Sequence, residues 1–149
     1  MSFVIDGRIL STCFEIGKWP LSRVFLKNNG CYPWLILVPE QEDLQDIDQL
    51  PPRLRYVFMD EISQLSLIVK SYFKPDKLNI GALGNIVPQL HMHVIARFKH
   101  DDLWPHGVWQ SLQTITPYPK DILNALLGDL RHRVSEAFCE KIKDSWGNK

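Results

Sequence analysis

His91 and His93 are the residues of this chain whose type and spacing best suit chemistry. They lie in Gln89-Leu90-His91-Met92-His93-Val94-Ile95, where imidazole or amide side chains alternate with apolar ones. Along a β-strand, positions i, i+2 and i+4 share a face. Gln89, His91 and His93 are therefore expected on one side, with Leu90, Met92 and Val94 in a core on the other. Imidazoles on a rigid strand suit nucleophilic or acid–base chemistry, because an unperturbed imidazole titrates at about 6.5. The His-x-His pair alone fits a polar sheet face equally well, so the surroundings have to decide. Upstream stands Gly81-Ala82-Leu83-Gly84-Asn85. Glycine permits close backbone approach to a ligand, and amides in such a turn can cradle phosphate oxygens. Downstream, Trp104-Pro105 could cover the site.

The rest of the composition narrows the class. A chain of 149 residues, 45% hydrophobic and 23% charged, fits one globular domain over residues 1–149. Lys+Arg and Asp+Glu both number 17, so no global field draws nucleic acid, although a local phosphate site stays open. Cys13, Cys31 and Cys139 are odd in number and lack metal-ligand spacing, which reads as reduced thiols in the cytoplasm. No apolar run is long enough to span a bilayer, and the N-terminus shows no basic-then-apolar secretion signal. His91 and His93 supply two metal ligands where a structural site needs about four. No cysteine or carboxylate in the segment adds to them, so no metal is expected.

The elements that must position the histidines follow from pattern. Arg8 to Ile16 is expected to form a short helix that ends at Trp19-Pro20. Ser22 to Lys27 reads as a strand stopped by Asn28-Asn29-Gly30. Trp34 to Val38 is a nearly continuous apolar run, as in a central strand, and Pro39 ends it. The two strands form an antiparallel hairpin. After a polar connection over 40–49, Pro51 and Pro52 suit a helix's first turn. Leu54, Val57, Phe58, Ile62, Leu65, Val69 and Tyr72 then recur at helical spacing, and Lys74-Pro75-Asp76 closes the helix. Lys77 to Ala82 suits a further strand. Residues 99–119 read as a proline-bent loop, and Ile122, Leu126, Leu130, Val134, Ala137 and Ile142 mark a C-terminal amphipathic helix. The order is that of an α+β protein.

The histidine strand resembles the signature of the histidine triad (HIT) superfamily of nucleotide hydrolases and transferases, His-φ-His-φ-His-φ-φ after a Gly-Gln or similar turn. Gln89 stands at the first triad position, His91 at the middle one, which is the family's nucleophile, and His93 at the third. Gly84-Asn85 takes the place of the Gly-Gln turn. The similarity extends back to the hairpin: Asn28 ends the strand that carries a ribose-binding Asp or Asn in the family. The next strand ends in Val38-Pro39 but begins with Trp34 where histidine is common. It covers about residues 10–98 and is less secure beyond Arg97.

The resemblance implies a HIT-like fold, with an antiparallel sheet of about five strands, a long helix and a C-terminal helix. It also implies attack by His91 on a nucleotide α-phosphorus, a nucleotidyl-histidine intermediate and its hydrolysis. His93 would carry a proton or hydrogen-bond the phosphate, and Gln89 would hydrogen-bond the phosphate or leaving group without titrating. Gly84 and Asn85 would stabilise phosphate charge, Asn28 would take the ribose, and Asn79 and Trp104 would face or close over the substrate. The expected ligand is a purine nucleotide or nucleotide conjugate, with no cofactor and a homodimeric assembly hinted at by Leu67 and Ile68. The alternative is a catalytically weak nucleotide-binding protein that keeps the fold. Gln89 and Trp34 read as one connected pair of replacements. Arg97 reads as a solvated strand cap, and His100, His106 and His132 as surface residues; Trp146 is a candidate for packing on a second subunit.

Overall fold

In the computed structural model, residues 2–109 and 115–138 are described. The elements run α1 (Gly7–Thr12), β1 (Cys13–Lys18), β2 (Ser22–Lys27), β3 (Trp34–Pro39), α2 (Pro52–Phe73), β4 (Lys77–Gly81), β5 (Met92–Arg97) and α3 (Lys120–Glu136), with a 3-10 turn at Ile47–Gln49. The sheet has five strands in the order β1-β2-β3-β5-β4, and every neighbouring pair is antiparallel. This is the expected α+β arrangement. Ile142, Cys139 and Trp146 lie outside the described residues.

β3 and β5 sit at the centre, and all six residues of each are buried. Their alternate side chains build two layers. Val24, Leu26, Leu35, Leu37, Met92 and Val94 pack with α2 and α3, whereas Phe25, Trp34, Ile36, Val38 and Ile95 pack with Ile5, Ile9, Tyr32 and Val108 on the other face. The helix α2 starts with Pro52 in its first turn, where a missing N–H costs nothing. It ends at Lys74, whose backbone is left-handed (φ 52°, ψ 54°). Its buried stripe of Phe58, Ile62, Leu65 and Val69 matches the expected spacing. Burying each such side chain contributes about 1.5–3 kcal/mol, against tenths for helix propensity, so packing decides where α2 lies.

Two expectations need correction. The helix predicted over Arg8–Ile16 stops at Thr12, and residues 13–18 form the edge strand β1. Ile9, Cys13 and Ile16 mimic helical spacing, while a bulge between Glu15 and Gly17 breaks the two-residue strand period. Ile122, expected in the core, is 54% exposed, because α3 turns Leu126, Leu127, Leu130 and Val134 inward instead. α3 covers β1 closely. A Cβ on Gly17 would collide with the Val134 side chain, Trp19 Nε1 donates to the Val134 carbonyl at 2.8 Å, and Arg131 donates to the Glu15 carbonyl at 3.1 Å.

Candidate active site

β5 delivers the histidines to the face opposite α2 and α3. His91, one residue before the strand, and His93 within it are each 7% exposed. Their rings stand 4.8 Å apart at 73°. His91 Nδ1 lies 2.7 Å from the Gln89 carbonyl. A carbonyl only accepts, so Nδ1 carries the hydrogen and the lone pair resides on Nε2. His93 is held from β3: Trp34 Nε1 donates to His93 Nδ1 at 2.8 Å. Burial, then the neighbouring His91 and Lys27, pushes the His93 pKa down to about 3.

Both rings line a cleft of about 500 Å³ together with Thr12, Lys27, Trp34, Leu83, Gly84, Asn85, Ile86, Val87, Val108 and Trp109. That volume is of the size that small-molecule sites occupy. The Lys27 ammonium lies 4.2 Å from the centre of the Trp34 ring, a cation–π seat, and burial lowers its pKa. Trp109 stands edge-on to His93 at 5.8 Å and to Trp34 at 6.4 Å. It rests above Gly81, within van der Waals reach of that position.

The turn before β5 depends on Gly84, at φ 78°, a left-handed conformation that glycine adopts without strain. The N-terminal segment braces this turn. Arg8 Nη1 donates to the Ile86 carbonyl at 2.8 Å and pairs with Asp6 through Nε and Nη2. Gln89 accepts from the Asp6 amide at 2.9 Å and donates to the Val4 carbonyl at 2.8 Å.

The structure brings His91, His93, Gly84 and Asn85 together on one cleft and leaves other candidates outside its lining. Gln89 clamps the N-terminal segment with both ends of its amide. It is not paired with Trp34, which holds His93, so the expectation of one connected replacement does not hold. Asn28 accepts from the Tyr118 amide at 3.0 Å, and Asn79 accepts from Arg97 Nη1 at 2.8 Å. Arg97 is only 1% exposed and not a solvated cap. Asp101 grips it at 2.9 and 3.0 Å, and Tyr32 and Trp104 lie over its guanidinium. Thr12, Lys27, Val108 and Trp109 were missed. Period-two counting from Phe25, which faces the site layer, would have found Lys27; nothing local points to Trp109. Among the described residues, no group of three or more His, Cys, Asp or Glu is placed to hold a metal.

The five-stranded antiparallel sheet of this α+β fold presents a braced imidazole pair beside a glycine turn. The HIT domain family model matches residues 11–100, and the chain belongs to this family. Similar solved structures are histidine triad proteins. One from Bradyrhizobium japonicum is 37% identical, with TM-score 0.85, covering 90% of this chain and 99% of that one. One from Sinorhizobium meliloti is 34% identical, with TM-score 0.83, covering 88% and 96%. One from Marinobacter aquaeolei is 33% identical, with TM-score 0.87, covering 92% and 99%. None of the curated proteins matches the chain. Family membership supports a nucleotide-binding or hydrolase-type function. No helix among the described residues is long and apolar enough to cross a membrane.

Proposed function

We propose that the chain is a nucleotide phosphohydrolase or nucleotidyl transferase in which His91 attacks the α-phosphorus. The observation that carries this reading is the 2.7 Å bond from His91 Nδ1 to the Gln89 carbonyl. It fixes the tautomer, leaves Nε2 with its lone pair, and stabilises the positive ring that forms when Nε2 bonds to phosphorus. His93 donates from Nε2 to a phosphate oxygen, the Gly84–Asn85 turn receives the phosphate, and Lys27 offsets its charge. Trp109 and Trp34 give the cleft aromatic walls for a base or ribose. Trp109 Nε1 is buried without a partner among the described residues, which leaves a donor for a ligand acceptor. Asn28, Asn79, Gln89 and Trp104 support these groups from outside the cleft.

The test is His91→Ala and His91→Gly against an adenosine phosphoramidate and a dinucleoside polyphosphate, with acid-quenched mass measurement of the nucleotidyl-protein. Both variants should lose turnover by roughly 10³-fold or more and form no adduct. Unchanged turnover would end the assignment. The second reading, a nucleotide binder with little turnover, is favoured by the structural engagement of Gln89, and tight binding without His91-dependent hydrolysis would establish it.

A homodimer through α2 fits the exposure of Tyr56 (80%), Met59 (61%) and Leu67 (60%); Ile68, at 7%, faces the core instead. Sedimentation showing only monomer would remove this assembly. The cytoplasm suits the chemistry of its thiols, and one domain over 1–149 suits its length.

A further inference from the structure

Trp34 and His93 limit what the site can expel. An indole N–H only donates, so the 2.8 Å bond from Trp34 Nε1 makes His93 Nδ1 the acceptor and places the ring's single proton on Nε2. Forming imidazolium would put a second hydrogen into a gap already filled by the indole's. The indole is itself confined: Trp34 is 6% exposed, with Lys27 on its face and Trp109 at its edge. The titratable groups near His93 are His91, just before β5, and Lys27 on β2, both bases that oppose a further positive charge; Trp34 on β3 and Trp109 from the following loop stand against its ring. His93 is therefore a neutral hydrogen-bond donor over the neutral pH range. Giving its proton away would require imidazolate, which water at neutral pH does not support. Gln89 does not titrate, and both ends of its amide are taken.

Resting on the reading of His91 as nucleophile, we infer that this site cleaves nucleotides whose leaving group departs as a stable anion, namely phosphoanhydrides and polyphosphates, and discriminates against phosphoramidates of alkyl amines. In the first half-reaction, the Nε2 lone pair of His91 forms the P–N bond. The bond from the α-phosphorus to the bridging oxygen breaks, and its pair leaves with the phosphate or polyphosphate group. That group is stable as an anion near neutrality and needs no proton. In the second half, water bonds to phosphorus, the P–N pair returns to Nε2, and the proton from water passes to solvent. The Nδ1 hydrogen stays on the Gln89 carbonyl throughout. An alkyl amine, by contrast, must leave protonated, and neither His93 nor Gln89 can protonate it. Lys27, seated on the face of the Trp34 ring, is assigned to offsetting phosphate charge, and its variant tests that assignment. Trp34 is a positioning residue that acts through His93.

The full chain is assayed for kcat/KM on three probes: adenosine 5′-phosphate aryl esters of graded phenol acidity, a dinucleoside tetraphosphate, and an adenosine alkyl phosphoramidate. Rates should fall steeply with leaving-group basicity, with the phosphoramidate roughly 10²-fold or more behind the tetraphosphate, the scale of a missing general acid. Trp34→Phe removes the indole hydrogen. It should raise the phosphoramidate-to-tetraphosphate ratio about tenfold or more and move the His93 titration upward in ¹⁵N NMR. Because that variant also tests packing, the wild-type spectrum is a separate check: His93 should show the Nε2–H tautomer and no titration above pH 5. Lys27→Met should slow both substrates alike. A wild-type chain that cleaves the phosphoramidate as fast as the tetraphosphate overturns the inference. So does His93 titrating near 6, or a Lys27→Met loss confined to the amine. Absence of all cleavage, or cleavage surviving His91→Ala, overturns the nucleophile reading beneath it, so the two failures are distinct.

Discussion

Gln89 holds His91 with its carbonyl, at 2.7 Å from Nδ1, while its side-chain amide holds the backbone of Val4 and Asp6. One residue thus links the orientation of the nucleophile to the N-terminal segment. Gln89→Ala keeps the carbonyl and removes the clamp. It should cost about 1–2 kcal/mol, as expected for two neutral hydrogen bonds, and lower kcat/KM roughly tenfold through a looser carbonyl. Urea titration and steady-state kinetics measure the two effects; kinetics unchanged beside a lower urea midpoint would confine Gln89 to stability.

Lys27 is the cation among the residues lining the cleft. Lys27→Met keeps most of the stem that packs on Trp34 and removes the charge. KM for an anionic nucleotide should rise about 10-fold or more, and the salt dependence of kcat/KM should become shallower. An unchanged salt slope would show that Lys27 serves Trp34 alone.

Arg97 and Asp101 are a buried pair, with side chains 2% and 6% exposed. Burial opposes ionisation of Asp101, yet the Arg97 hydrogen bonds and the Phe98 and Trp104 amides hold its pKa at about 2. Its folded value is depressed, so its contribution is complete above 3.8 and is lost as pH falls toward 2. Asp101→Ala leaves a buried guanidinium unpaired and should cost about 3–5 kcal/mol. Arg97→Met with Asp101→Asn should recover part of that loss in urea denaturation; additive losses would argue against the pairing.

Glu61 on α2 is fully buried, and its Oε2 accepts from the Leu21 amide at 2.9 Å. Burial raises its pKa above 4.5, against the opposing pull of Ser22 and the Leu21 amide. Below 4.5 both the folded and unfolded carboxyls are protonated. Above it the unfolded chain ionises first, so the Glu61 contribution declines as pH rises until the folded carboxyl also ionises. Glu61→Gln should therefore gain stability relative to wild type as pH rises from 4.5 toward neutrality, measured by urea denaturation at a series of pH values. His93, with its depressed pKa, runs in the opposite direction but cancels in the difference between the two chains. A difference that is flat with pH would refute this account.

Much of the frame was legible because it is periodic. The β2–β3 hairpin follows from two apolar runs parted by a turn, the α2 stripe from helical spacing, and the histidine strand from alternation, and the structure places these elements as read. β1 was not legible, since the bulge at Glu15/Gly17 shifts parity midway and Ile9, Cys13 and Ile16 fall at helical spacing. Arg97 shares the parity of His93 and Ile95, but its burial depends on a loop that returns Asp101 to it, a path no local pattern encodes. Trp109 enters the cleft for the same reason. Gln89 was read by its place in the motif, yet its partners, Val4 and Asp6, lie more than eighty residues away in sequence.

The packing of α3 on β1 also bears on how copies of this chain meet. An edge strand offers an open row of backbone donors and acceptors to any passing strand. Here the bulge turns that row out of line, Arg131 occupies the Glu15 carbonyl, and Val134 fills the space beside Gly17. With α3 docked, the Glu15 carbonyl is engaged and the face of β1 is covered, so this stretch of the border offers an added strand fewer free groups than a bare edge would.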